Sequence, residues 1–200
     1  MPASEICRYI GRKNEEPIIS EKEGDIIRTW SGSQTFKRQS EGQVPSWHSE
    51  LSYVQVSSYE NWEQVAELIS KSWRELDFTS EPLVQFAETF TQQYPTPQEK
   101  ALALIRWVQD EVKIIAPFKM QGGLVAIEPS IVFLNREGDC KGKAALLCSL
   151  LRAIGVQASP VMVHRTFRHV VETMLPQHGV FNHCLLYTSP SPRDQRGSRM

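Results

Sequence analysis

The sequence predicts a protein of mixed strands and helices, and three observations point there. Residues 7–57 read as short extended runs between polar turn clusters. Residues 59–112 carry three stretches of helical periodicity, and from Cys140 a helix apolar nearly all round gives way to strands. The 200 residues suffice for one full domain plus a fragment of another. Hydrophobic content of 40% and charged content of 22% are those of a soluble globular protein. A net charge of -1 argues for neither a nucleic-acid partner nor an anionic membrane surface. No apolar run approaches the roughly 20 residues that span a bilayer, and Met1–Asn14 lacks an apolar signal core. The cysteines Cys7, Cys140, Cys148 and Cys184 are too sparse for a disulfide scaffold. They form no Cys-x-x-Cys pair, so no structural zinc site is expected, and no cofactor is assigned.

Taken in order, the extended runs are Pro17-Ile18-Ile19, Ile26–Trp30 and Leu51–Val56, the last a half-buried strand by its alternation. Trp62, Val65, Ile69 and Trp73 recur at steps of three and four, which makes residues 59–75 a helix with one apolar face. A second helix starts at Ser80, with Pro82 in its first turn and Leu83, Phe86, Ala87 and Phe90 along one side. The third has the clearest start signal: Thr96 as cap, Pro97 at the first position and Glu99 completing a capping box. Leu104, Ile105, Val108 and Val112 form its stripe, and Gly122, Gly123 and Pro129 mark a loop. The helix from Cys140 is buried by composition and ends near Gly155. Val156–Val163 reads as a strand, a polar excursion holds His164, His169 and His178, and a final strand begins near Val180–His183.

Chemistry concentrates at Cys140. A thiol attacks as the thiolate, and a helix N-terminus with nearby cations favours that form. Cys140 opens the buried helix, and Lys141 and Lys143 follow it. A histidine from elsewhere in the fold can take the proton, as nucleophilic catalysis requires. By spacing alone, Cys140 serves equally well as a small buried hydrophobe. Cys148 lies two turns later inside the apolar run and reads as core. His183 opens a strand, a place at a sheet rim suited to a base or to a histidine with a satisfied hydrogen bond. His164 and His169 flank a basic polar stretch and read as solvated, His178 reads as a turn residue, and His48 is far from the motif.

The run Asn135-Arg136-Glu137-Gly138-Asp139-Cys140-Lys141, followed by Lys143–Leu147, Leu150–Val156 and Ala158, resembles the bacterial transglutaminase-like superfamily. Trp107-Val108-Gln109, the loop ending at Pro129 and Phe181-Asn182-His183 fit as well, so the resemblance covers about residues 78–183. It implies a papain-like, transglutaminase-like α+β fold: a Cys-bearing helix packed on an antiparallel sheet that carries the histidine. It places the catalytic cysteine at Cys140 and the histidine at His183. The third member of such a triad, an aspartate on the next strand, has no assignable position, because the one residue at a suitable distance is Asp194. The implied chemistry is acyl transfer on a peptide or glutamine-type carboxamide, as peptidase, deamidase or transglutaminase, with the Cys140 N–H in the oxyanion site. The implied partner is a peptide or protein substrate, and the implied location a bacterial periplasm or envelope. A binding module and an inert structural domain on the same fold are the alternatives. Trp30, Pro45 and Val56–Trp62 resemble the end of a β-rich domain that precedes such cores.

The tail carries a different resemblance. Cys184-Leu185-Leu186-Tyr187-Thr188-Ser189-Pro190-Ser191-Pro192-Arg193-Asp194 is similar to one translated frame of a transposon-based sequencing adapter. Ser198-Arg199-Met200 fits the adapter's next constant stretch, which leaves Gln195 and Arg196 as index and Gly197 at the join. A disordered Ser/Pro-rich linker has the same composition. The adapter reading makes His183 the last native residue, its final codon base uncertain between His and Gln. The expected organisation is therefore a partial β-rich domain at 1–58, a connecting helix at 59–77, an incomplete transglutaminase-like core at 78–183 and an adapter-derived tail at 184–200. Without its closing strand the chain as written is expected to be inactive or nearly so.

Overall fold

The computed structural model describes residues 8–11, 16–31, 54–115, 124–165 and 168–188. The chain divides into two compact units, one of Met1–Glu67 with His164–Val180, the other of Leu68–Val163 with Phe181–Met200.

In the first unit, short antiparallel pairs form where the sequence has extended runs. β1 (Arg8–Gly11) pairs with β4 (Val54–Ser57), and β2 (Ile18–Lys22) pairs with β3 (Asp25–Thr29). Glu23 and Gly24, at φ 56° and 84°, make the two-residue hairpin turn, which needs positive φ at both positions. Of the half-buried strand expected over Leu51–Val56, β4 covers Val54–Val56 and runs on to Ser57, with 51–53 outside the described residues. Its alternation also runs the other way: Val54 and Val56 are exposed and Ser57 is buried. The reason is polar pairing. Gln55 Oε1 accepts the Leu175 N–H at 2.9 Å, and the Ser57 hydroxyl donates to the Pro176 carbonyl. The polar excursion folds into two 3-10 turns, Arg168–Thr173 and His178–Val180.

Helix α1 (Trp62–Arg74) places Val65 and Trp73 in buried positions, as its stripe predicts. α2 (Glu81–Thr91) starts after Ser80 and buries Leu83 and Ala87. α3 (Pro97–Glu111) begins with the full capping box: Thr96 Oγ1 accepts the Glu99 N–H at 3.2 Å, and the Glu99 carboxylate accepts the Thr96 N–H at 3.1 Å. Ala103, Leu104, Val108 and Val112 are buried.

The loop expected to end at Pro129 gives way there to a helix that was not expected, α4 (Pro129–Asn135). Pro129 supplies the fixed φ of a first helical position. Seven residues are too few for a period to show in sequence. α4 ends at Arg136, and β6 (Glu137–Gly138) then bridges in parallel to β5 (Lys113–Ile114). α5 (Cys140–Ala153) follows, and Gly155 at φ 80° closes it in a Schellman motif. The Gly155 N–H bonds the Arg152 carbonyl and the Val156 N–H bonds that of Leu151, each at 3.0 Å. β7 (Ala158–Val163) pairs antiparallel with β8 (His183–Thr188).

α5 is the centre of the second unit. It packs against α2, α3 and α4, and against the β7–β8 hairpin. Leu146, Cys148, Leu150 and Leu151 are fully buried in one cluster with Leu83, Leu104, Val108 and Val132. α4 meets the start of α5 through Val132, which sits between two glycines. A Cβ on Gly138 would lie 3.1 Å from Val132 Cγ1, and one on Gly142 would lie 3.0 Å from Cγ2. Val132 is fully buried. Gly142→Ala is therefore expected to destabilise the protein by about 1–3 kcal/mol through overpacking. A chemical-denaturation midpoint equal to that of the unsubstituted protein would contradict this.

Candidate active site

Asp139 builds the start of α5. Its backbone is extended at the N-cap, and its Oδ1 accepts the Gly142 N–H at 2.8 Å. The carboxylate is buried, 3% exposed, and its other oxygen pairs with the Lys141 ammonium. Asp139 O accepts the Lys143 N–H at 2.9 Å. Among the described residues this leaves the N–H groups of Cys140 and Lys141 without a partner. They are the uncommitted donors of the first turn.

The two lysines do not serve as free charges beside the sulfur. Lys141 is paired with Asp139, and the Lys143 ammonium donates to the carbonyl of Val112 at the end of α3. Burial lowers the pKa of Lys143.

Cys140 is half-buried and packs against a small cluster of Trp73, Ala126, Ala144, Ala145 and Cys184, with Met162 beside it. The indole Nε1 of Trp73 is buried there without a hydrogen-bond partner. Cys184 enters because of the register of the hairpin. It faces Met162, and the alternation of β8 sets Cys184, Leu186 and Thr188 toward α5. His183, opposite Val163, stands on the other face of the same strand and is half-buried. Among the described residues no hydrogen bond joins its ring to Cys140. The structure thus sets both candidate residues in one unit, Cys140 on the central helix and His183 at the first residue of the hairpin strand. The side chain it brings to Cys140 is that of Cys184.

Of the other candidates, Cys148 is fully buried core, as its place in the apolar run predicts. His178 Nδ1 lies 3.0 Å from the Tyr59 hydroxyl in the first unit. His48, Asp194 and the His169 side chain lie outside the described residues. Sequence reasoning missed Val132, whose contact with Gly138 and Gly142 places the helix start. It also missed Arg136, whose guanidinium lies over two neighbouring aromatic rings. The glycines were the available signal for the first, and nothing in the sequence signals the second.

Fold and site together define a mixed α+β protein of cysteine-protease-like architecture, with a half-buried thiol at the start of its central helix. Residues 84–177 match the family model of the transglutaminase-like superfamily, a span that includes Cys140 and stops short of His183. The chain's fold is similar to that of a Parabacteroides distasonis ATCC 8503 protein provisionally named as a protease, with a TM-score of 0.68 at 14% identity. That match covers 94% of this chain and 36% of the other, so the chain spans about a third of that protein's length. No curated protein matches the chain.

The thiols are expected to separate by reactivity. Burial pushes the Cys148 thiol up to about 11, with the Arg152 guanidinium drawing it part of the way back. Burial, and next the neighbouring Cys140, pushes Cys184 up to about 12. Iodoacetamide at neutral pH should label Cys140 ahead of Cys148 and Cys184, which it leaves for the unfolded chain, as mapped by peptide mass spectrometry. The folded Cys148 thiol holds its proton to higher pH than an unfolded one. Its contribution to stability is therefore complete below the ordinary value of 9.0 and lost as pH rises through about 11. The denaturation midpoint should fall across that window, and less steeply in Cys148→Ala.

Proposed function

We propose that this core performs cysteine-dependent acyl transfer on a peptide or glutamine-type carboxamide. The observation that supports it most is the placement of Cys140: a half-buried thiol at the first position of a buried helix, next to two uncommitted N–H groups. The sulfur attacks the carbonyl carbon, and the oxygen takes up negative charge against the N–H groups of Cys140 and Lys141. His183 takes the thiol proton and passes it to the leaving amine. Water as acceptor completes a peptidase or deamidase reaction, and an amine completes a transglutaminase reaction.

This reading requires the His183 ring on the α5 side of the hairpin. A strand slipped by one residue exchanges its two faces. In β8 the apolar residues Cys184 and Leu186 occupy the inward positions. We propose that residues from Cys184 on are adapter-derived, and that the gene's own continuation past His183 sets the other register and supplies the acidic residue that orients the imidazole. Residues 184–188, Cys-Leu-Leu-Tyr-Thr, contain no such residue.

A second reading, a module that binds peptides without turning them over, is favoured by the present face of His183. The two are separated by assaying the 200-residue chain beside a version that carries the gene's continuation. Peptide hydrolysis, glutamine deamidation and amine incorporation into a glutamine peptide are the readouts. The extended version should turn over at least one substrate, and Cys140→Ala should lower kcat on the order of 10³-fold or more. Peptide binding with no Cys140-dependent turnover in the extended version would establish the binding module instead. Robust Cys140-dependent turnover by the 200-residue chain would refute the need for the missing partner.

A further inference from the structure

The segment that delivers Cys140 to its place leaves α4 at a single residue, Arg136. Arg136 adopts φ 57° and ψ 29°, the left-handed conformation that side-chain-bearing residues avoid. Among the described non-glycine residues it shares a positive φ with Glu23 alone, and Glu23 sits in a hairpin turn built for it. At Arg136, four residues before Cys140, the chain turns from helix into the β6 bridge.

Backbone contacts fix this residue on both sides. Its N–H donates to the Val132 carbonyl at 3.0 Å, and its carbonyl accepts the Lys113 N–H at 2.8 Å. That second bond opens the parallel bridge in which Lys113 faces Glu137 and Ile114 faces Gly138. The side chain is held in another way. Its Cζ lies 4.4 Å from the ring centroid of Trp107 on α3 and 4.4 Å from that of Phe133 on α4. Phe86 of α2 backs both rings, at 4.5 Å and 4.9 Å. Arg136 Nη1 is buried with no hydrogen-bond partner. The guanidinium is therefore seated over two adjoining rings, a geometry suited to a planar, weakly hydrated cation and poorly reproduced by an ammonium.

We propose that Arg136 is a positioning residue for the nucleophile. The two-ring clamp holds the left-handed turn, the turn sets the path of Glu137–Asp139, and that path fixes the depth and direction of the Cys140 sulfur. This inference rests on the assignment of Cys140 as the nucleophile. A turn that needed only the conformation would be served at least as well by glycine, which adopts it freely. Arg136→Gly thus keeps the turn accessible and removes the clamp.

The test is the rate of Cys140 alkylation as a function of pH, with kcat and KM in the version carrying the gene's continuation. Folding of each variant is followed by circular dichroism. Arg136→Gly is expected to shift the alkylation profile and to lower kcat about a hundredfold, the scale of a 1 Å misplacement, with KM little changed. Arg136→Lys, which keeps the charge and loses the planar stack, should fall between the two. An Arg136→Gly protein with the unsubstituted profile and kcat, or one altered in KM alone, overturns the proposal. Should Arg136→Gly fail to fold, Arg136→Lys decides alone: a depressed kcat with a shifted profile supports the clamp, and unchanged values reject it. Equal reactivity of Cys140 and Cys148 in the unsubstituted protein would overturn both this inference and the nucleophile assignment.

Discussion

The architecture of the core follows from one constraint: α5 has almost no face that tolerates water. Each of its fully buried leucines contributes about 1.5–3 kcal/mol by leaving solvent. A helix of this kind has to be enclosed on every side, and α2, α3, α4 and the β7–β8 hairpin do so. Enclosure disposes of the sides and leaves the ends. The C-terminal end is closed by the Schellman turn at Gly155. At the N-terminal end the first-turn N–H groups still need partners, and Asp139 satisfies Gly142 and Lys143 but leaves Cys140 and Lys141. A site with polar capacity beside a thiol is thus what remains once the core has been buried.

The same enclosure makes the helix start rigid. Val132 fits against Gly138 and Gly142 with no spare room, and Asp139 is locked by both an N-cap bond and an ion pair. Arg136 turns the chain into this arrangement from outside the core proper. Packing, capping and the aromatic clamp all act within seven residues of one another, from 136 to 142. Their effects are therefore expected to be coupled rather than additive.

The hairpin is less tightly specified. The alternation of β8 follows whichever residues are apolar, and Cys184 and Leu186 take the inward positions at the expense of His183. Strand register is set by the hydrophobic pattern, so the identity of a few residues after His183 decides which way its ring points. The placement of Cys140 rests on the deep burial of α5, whereas that of His183 rests on this one register.

Much of the core was legible in the sequence. The stripes of α1, α2 and α3, the Thr96–Glu99 box, the Gly155 stop and the enclosed helix from Cys140 are all local patterns, set by residues within one or two turns of each other. Tertiary structure decided the rest. Seven residues at 129–135 are too short to show a period, so α4 emerges from its contacts. Val54 and Val56 face outward because Gln55 and Ser57 find polar partners more than a hundred residues away. Lys141 and Lys143 look like free charges in sequence, and in space they are bound to Asp139 and Val112. The sequence alone determined that a thiol would open a buried helix. Long-range packing decided which groups surround it, because contacts between residues far apart in the chain leave no periodic trace within it.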